Sequence, residues 1–244
     1  MAGNWKMYKT AAETTGFFEK FAPLVEQSGH ADVVLCPTFV NIPAAVAATQ
    51  GTRIEIGGQN LYWKNEGAFT GEISGPMLKA AGARWVIIGH SERRQYFGET
   101  DATVLQRTVA ALEAGLNPIV CVGERLEQRE SGNTESVLRT QFDGGLAGLA
   151  PDRFAKLTIA YEPVWAIGTG KTATPEIAAD AHRFMRAQVA AKFGAEQAAK
   201  TRILYGGSVK PDNVKSLMAQ PDIDGSLVGG ASLEAVSFSL VVNF

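Results

Sequence analysis

Two cysteines and three histidines in 244 residues leave little material for a disulfide framework or a metal site. Cys36 and Cys121 each lie within their own apolar run and read as reduced packing thiols, while His30, His90 and His182 lack metal-ligand spacing. No metal and no cofactor are therefore expected. Excess charge is missing too: 23 Lys and Arg stand against 25 Asp and Glu, for a formal net charge of -2. Without a basic field, nucleic acid and anionic membranes are excluded as expected partners, and any anion must be caught locally. Long apolar runs are absent as well, since Trp85 to Ile88 and Pro118 to Val122 fall far short of a membrane span and the start carries no apolar leader. The cytoplasm is the expected location. No linker or compositional break divides residues 1–244, which predicts one domain.

What is present is alternation. Short apolar runs near residues 2, 33, 55, 86, 119, 159, 204 and 227 read as strands, and amphipathic segments separate them. Phe17, Phe21, Leu24 and Val25 make one helical face, as do Val104, Leu105, Val109 and Leu112. Thr174 and Pro175 form a cap and first-turn proline ahead of a face made by Ile177, Ala181, Phe184, Met185 and Val189. Eight βα units without interruption predict an α/β fold, a single (β/α)8 barrel. Only Met1 precedes Ala2, so the first strand is expected to be a stub and the barrel seam beside Lys6 to be weakly closed.

The stretch from Leu157 to Lys171 organises the rest. Leu157, Ile159 and Tyr161 read as one face of a strand that delivers Glu162 to its C-terminal end, where Pro163 breaks the ladder and Gly168 and Gly170 punctuate a movable loop. A surface carboxylate closing a strand would explain Glu162 taken alone. A barrel, however, gathers all strand ends on one rim, so Asn4, Lys6, His90 and Glu162 converge there although they are distant in sequence. A carboxylate near a histidine and a lysine is the equipment for removing a proton next to a carbonyl: Glu as base, His as donor to oxygen, Lys to stabilise negative charge.

The glycine pairs 206/207 and 229/230 follow the last two strands, where barrels often hold phosphate by backbone N–H groups. Tight turns alone would also account for them. A dianion held by the N–H groups of Ser208, Gly229 and Gly230 needs no basic patch, which points to a small phosphorylated substrate. Gly168-Thr169-Gly170-Lys171-Thr172 resembles the end of a nucleotide-binding loop, but Trp165 occupies the position that signature reserves for Gly.

Gly3-Asn4-Trp5-Lys6-Met7, Ile88-Gly89-His90-Ser91-Glu92-Arg93-Arg94, Ala160 to Gly170, Tyr205-Gly206-Gly207-Ser208-Val209 and Leu227 to Leu233 together resemble the triosephosphate isomerase family. The resemblance spans practically the whole chain. It implies interconversion of dihydroxyacetone phosphate and glyceraldehyde 3-phosphate through an enediolate, with Glu162 moving the carbon-bound proton and His90 acting as a neutral imidazole ahead of a short helix. By the same resemblance Lys6 meets developing negative charge, Asn4 positions substrate, Gly168 adds an N–H to phosphate, Ile167 and Leu227 cover Glu162, and Glu92 and Cys121 support the site. It also implies a homodimer through loop 60–74, with Thr70 reaching the neighbouring site near Asn4 and Lys6. Two other readings remain at this stage: a Schiff-base aldolase using Lys6, and a barrel that binds triose phosphate without turning it over.

Overall fold

In the computed structural model, which describes residues 1–167 and 172–244, every apolar run read as a strand is one. The strands are β1 Ala2–Asn4, β2 Val33–Cys36, β3 Ile54–Gly58, β4 Trp85–Ile88, β5 Asn117–Val122, β6 Thr158–Tyr161, β7 Ile203–Tyr205 and β8 Gly225–Val228. All pair in parallel and in sequence order, and β8 returns to β1, so the sheet closes into a barrel. Alternation along each strand sorts side chains into two cores. Ala2, Val34, Cys36, Ile87, Ile119, Cys121, Ala160, Leu204 and Leu227 fill the barrel interior. Leu35, Val86, Ile88, Val120, Ile159 and Tyr161 face outward into the helical layer. Both cysteines are buried and free, and burial pushes the Cys36 thiol up to about 12.

The expectation of a weak seam is corrected. β1 is short, but β7 is equally so, and β1 pairs on both sides: Ala2, Gly3 and Asn4 with Val34, Leu35 and Cys36, and Ala2 and Gly3 with Leu227 and Val228. The ladder to β2 runs beyond the strand itself, through Val34 N–H to Met1 O at 2.9 Å and Trp5 N–H to Cys36 O at 3.1 Å. Trp5 is fully buried and its indole N–H donates to Ser232 O at 2.9 Å, which ties the end of β1 to the turn after β8. A large buried aromatic with its polar atom satisfied helps to anchor a short strand.

Two helical faces also differ from the sequence reading. Helix Ala11–Val25 starts with a capping box between Thr10 and Glu13 and buries Thr14, Phe17, Phe18, Phe21 and Val25, whereas Leu24 is 44% exposed. The buried arc is centred between Phe17 and Phe18, which leaves Leu24 at its edge. Helix Asp101–Glu113 buries Val104 as expected, but Leu105, Val109 and Leu112 are half-buried and Arg107 and Thr108 lie deeper. Arg107 can go inside because its guanidinium bonds Asn60 at 3.1 Å, pairs with Glu99 at 3.4 Å and stacks over Trp63. Helix Pro175–Phe193 is capped by Thr174 and buries Ala181, Met185 and Val189, with His182 among them and Ile177 and Phe184 half-buried.

Candidate active site

The C-terminal ends of β1, β4 and β6 bring Asn4, Lys6, His90 and Glu162 to one mouth of the barrel, as the sequence implied. Lys6 stands just past β1 with φ +51°, a left-handed conformation that a non-glycine residue adopts only under constraint. The constraint is visible: Lys6 N–H donates to Asn4 Oδ1 at 3.0 Å, and Gln59 Nε2, at the end of β3, donates to Lys6 O at 2.8 Å and to Cys36 O at 2.9 Å. Asn4 thus shapes the turn that aims the lysine. Lys6 Nζ lies 2.7 Å from Glu92 Oε1.

His90 directly precedes helix Ser91–Tyr96 and acts as its N-cap, its Nδ1 accepting from Glu92 N–H at 3.3 Å. That leaves Nε2–H to donate to Glu162 Oε1 at 2.9 Å. Glu162 is almost fully buried and takes two further bonds from Ser91, N–H to Oε2 at 2.9 Å and Oγ–H to Oε1 at 3.0 Å. Burial alone would raise its pKa, but the charge and hydrogen bond of His90 and the two Ser91 donors outweigh this and hold the carboxyl below its ordinary range. Burial likewise works against a charged His90, yet contact with Glu162 prevails and moves its pKa upward. Beneath them, in the barrel interior, the Cys121 thiol is pushed well up, first by burial and then by the charge of Glu162.

A cavity of about 260 Å³ opens beside these groups, lined by Asn4, Lys6, His90, Ile167 and Leu227 on one side and by Gly206 to Lys210 and Gly229 to Ala231 on the other. Ser208, Gly229 and Gly230 therefore line the same space as Lys6 and His90. A Cβ on Gly229 would stand 3.5 Å from Lys6 Cε, an ordinary van der Waals contact, so the lysine stem lies beside the turn after β8. Gly230 begins a 3-10 turn, Gly230–Leu233, and a Cβ on it would meet only open space. Glu162, by contrast, lines a second cavity of about 250 Å³ together with Ser91, Gly123 and Gln141. Glu162 is not among the residues that line the first cavity. Gly168 lies outside the described residues.

Several members of the site had no reading in the sequence. Ser91 holds Glu162, and its only signal was its place after His90. Glu124, just past β5, is wholly buried and accepts from Tyr161 Oη at 3.1 Å and Trp165 Nε1 at 2.9 Å, which fixes the start of the 3-10 turn Val164–Ala166. Gln59 is invisible to motif reasoning because it acts through backbone groups. Loop 60–74 is closed at its base by Tyr62 N–H to Ile73 O at 2.8 Å, and Tyr62 stacks on Trp63. Its segment from Lys64 to Glu72, Thr70 included, is exposed. Among the described residues no group of three His, Cys, Asp or Glu is placed to hold a metal, and no helix is long and apolar enough to cross a membrane.

Comparison with known proteins gives a consistent result. The family model described as Triosephosphate isomerase matches residues 1–244. A triosephosphate isomerase of Solibacter usitatus is 69% identical over 244 residues, covering 100% of this chain and 98% of that protein. One from Moorella thermoacetica is 55% identical over the same 244 residues and 97% of its own length. Among solved structures, the triosephosphate isomerase of Bartonella henselae superposes with a TM-score of 0.89 at 40% identity, covering 99% of this chain and 96% of that one. With barrel, strand-end groups and full-length likeness in agreement, the chain belongs to the triosephosphate isomerase family.

Proposed function

We propose that the protein interconverts dihydroxyacetone phosphate and glyceraldehyde 3-phosphate, with Glu162 as the base. The observation that carries this is the convergence of Lys6, His90 and the 206–210 and 229–231 turns on one cavity, with Glu162 hydrogen-bonded to His90 at its border. Phosphate binds to the N–H groups of Ser208, Gly229 and Gly230, and Gly168 adds another. The carbonyl then lies toward His90 Nε2 and Lys6 Nζ, with Asn4 fixing the Lys6 turn. Glu162 leaves Ser91, enters the cavity and removes the proton from the carbon next to the carbonyl. His90 and Lys6 meet the charge that gathers on oxygen, and Glu162 returns the proton to the neighbouring carbon.

Withdrawal of the carboxylate changes His90 as well. The rise in its pKa comes first from Glu162 at 2.9 Å, so departure of Glu162 removes the main contribution and leaves Glu92 alone against burial, Lys6 and the helix N-terminus, which favour the neutral ring. The imidazole that faces substrate is then neutral and donates from Nε2. Ile167 and Leu227, which line the cavity, exclude water from the intermediate. The Schiff-base reading has no comparable support, since the family and the full-length relatives are triosephosphate isomerases.

The active form we propose is a homodimer. Loop 60–74 projects the exposed Phe69-Thr70-Gly71-Glu72 tip, and Met7, Tyr8, Val40 and Met77 expose large apolar side chains. A two-fold contact would bury these and carry Thr70 to the partner's Asn4 and Lys6. No nucleic acid, membrane or cofactor enters this reading, and the expected location is the cytoplasm. The deciding experiment is Glu162→Gln in a coupled isomerase assay: turnover should fall by several orders of magnitude while inorganic phosphate still competes with substrate. Near-parental turnover would remove Glu162 from the mechanism.

A further inference from the structure

Past the ends of β5 and β6 the two chains stay paired, with Glu162 N–H donating to Val122 O at 2.7 Å and Val164 N–H to Glu124 O at 3.1 Å. Gly123 lies between these bonds. Its own N–H and C=O turn outward to helix Thr134–Gly145, where one side chain takes both. Gly123 N–H donates to Gln141 Oε1 at 2.7 Å, and Gln141 Nε2 donates to Gly123 O at 3.0 Å. A primary amide bonded in this way reproduces what a neighbouring strand would offer one residue.

Gly123 is also the wall against which the Glu162 peptide rests. A Cβ built there would lie 1.7 Å from Glu162 O, so no other residue fits without moving the base. On the opposite side Gly206 N–H donates to Tyr161 O at 2.7 Å, and a Cβ on Gly206 would lie 2.9 Å from Glu162 Cγ. The backbone of Glu162 is therefore held between two glycines. One of them is set by the strand ladder, the other by Gln141.

We propose that Gln141 is a positioning residue for the reaction: by clamping the Gly123 peptide it sets where the Glu162 backbone sits, and so where the Glu162 carboxylate arrives when it enters the substrate cavity. The inference rests on Glu162 being the base. Gln141 touches neither substrate nor Glu162 and acts through Gly123 alone. Loss of the amide leaves the Gly123 N–H and C=O without the two bonds that fix them, and the segment relaxes toward water. Because a misplacement of about 1 Å at the reacting atom costs on the order of a hundredfold in rate, a small shift is enough.

The test uses the full chain with Gln141→Met, which keeps length and removes both bonds, and Gln141→Glu, which keeps the acceptor for Gly123 N–H and loses the donor. For Met, kcat should fall about ten- to a hundredfold while KM and competition by inorganic phosphate stay within about twofold, because the phosphate turns are built from other strands. The Glu variant should fall between Met and parent. A purely structural role would lower the melting temperature and the number of phosphate-competent sites, yet leave kcat per site unchanged. That result, obtained while Glu162→Gln is inactive, overturns the proposal. Should the Met variant prove insoluble, kcat per site of the Glu variant decides in the same way. A fully active Glu162→Gln would instead overturn the assignment of the base, and the two failures are told apart by which variant keeps its turnover.

Discussion

His182 should make the protein lose stability in mild acid. The ring is fully buried on helix Pro175–Phe193, edge-on to Tyr161 and near Tyr205, with Nδ1 3.1 Å from Asp222 O. Burial, offset in part by the Asp222 carbonyl and reinforced by Arg186, lowers its pKa from 6.5 to about 4. A depressed histidine binds fewer protons folded than unfolded, so its contribution is fully present above the unfolded value of ~6.5 and is lost as pH falls toward the folded one. At ~1.36 kcal/mol per unit the shift amounts to roughly 3 kcal/mol in all, of which about 2 kcal/mol falls between pH 7.5 and pH 5. For a chain of this size that is a drop of about 4 to 8 °C in melting temperature.

Within that window His90 acts oppositely, since its raised pKa gives stability present below the unfolded value and lost as pH rises through the folded one. The Glu162 carboxyl, held below its ordinary range, gives stability that is present above about 4.5 and lost only in stronger acid. The quantity to measure is therefore a difference between variants. Urea unfolding of the parent and of His182→Gln at pH 7.5, 6.5, 5.5 and 5.0, at one protein concentration so that association is held constant, should show the parent losing about 2 kcal/mol more than the variant. Parallel pH dependences would show that His182 does not titrate on unfolding in this window, and that burial does not hold it neutral.

Other consequences concern the site and the loops. Gly123→Ala places a methyl carbon within bonding distance of Glu162 O, so kcat should fall more than a hundredfold together with a lower melting temperature; retention of kcat would show that Gly123 and Glu162 move independently. Removing residues 166–169 should reduce turnover and raise the ratio of free phosphate to isomerised product, because an unshielded enediolate expels its neighbouring phosphate; a fall in turnover with that ratio unchanged would limit the segment to positioning. The protein should sediment at about 52 kDa, twice the 26.0 kDa chain, and shortening loop 60–74 should give a weakly active monomer. A fully active monomer would show that Thr70 contributes nothing across the interface.

The sequence by itself determined the strands, because all but the first are short apolar runs that contain or soon meet glycine or proline, largely buried on both faces. It also determined that Asn4, Lys6, His90 and Glu162 share a rim, since each follows a strand and a barrel places all such ends together. It misjudged Leu24 because spacing marks an apolar face without saying where its centre lies, and missed Arg107 because a buried charge is legible only from the Asn60, Glu99 and Trp63 groups around it. It expected a weakly closed seam because it counted residues in β1, whereas the β1–β8 pairing and Trp5 bonded to Ser232 at the other end of the chain close it. Tertiary structure alone decided that Glu162 is held by Ser91, that Gln59 helps hold the Lys6 turn and that Gln141 clamps Gly123, pairs separated by 71, 53 and 18 residues. These are hydrogen bonds to or from single backbone groups, and a backbone group has no letter in the sequence: which side chain finds it is settled only when the barrel closes and the loops meet.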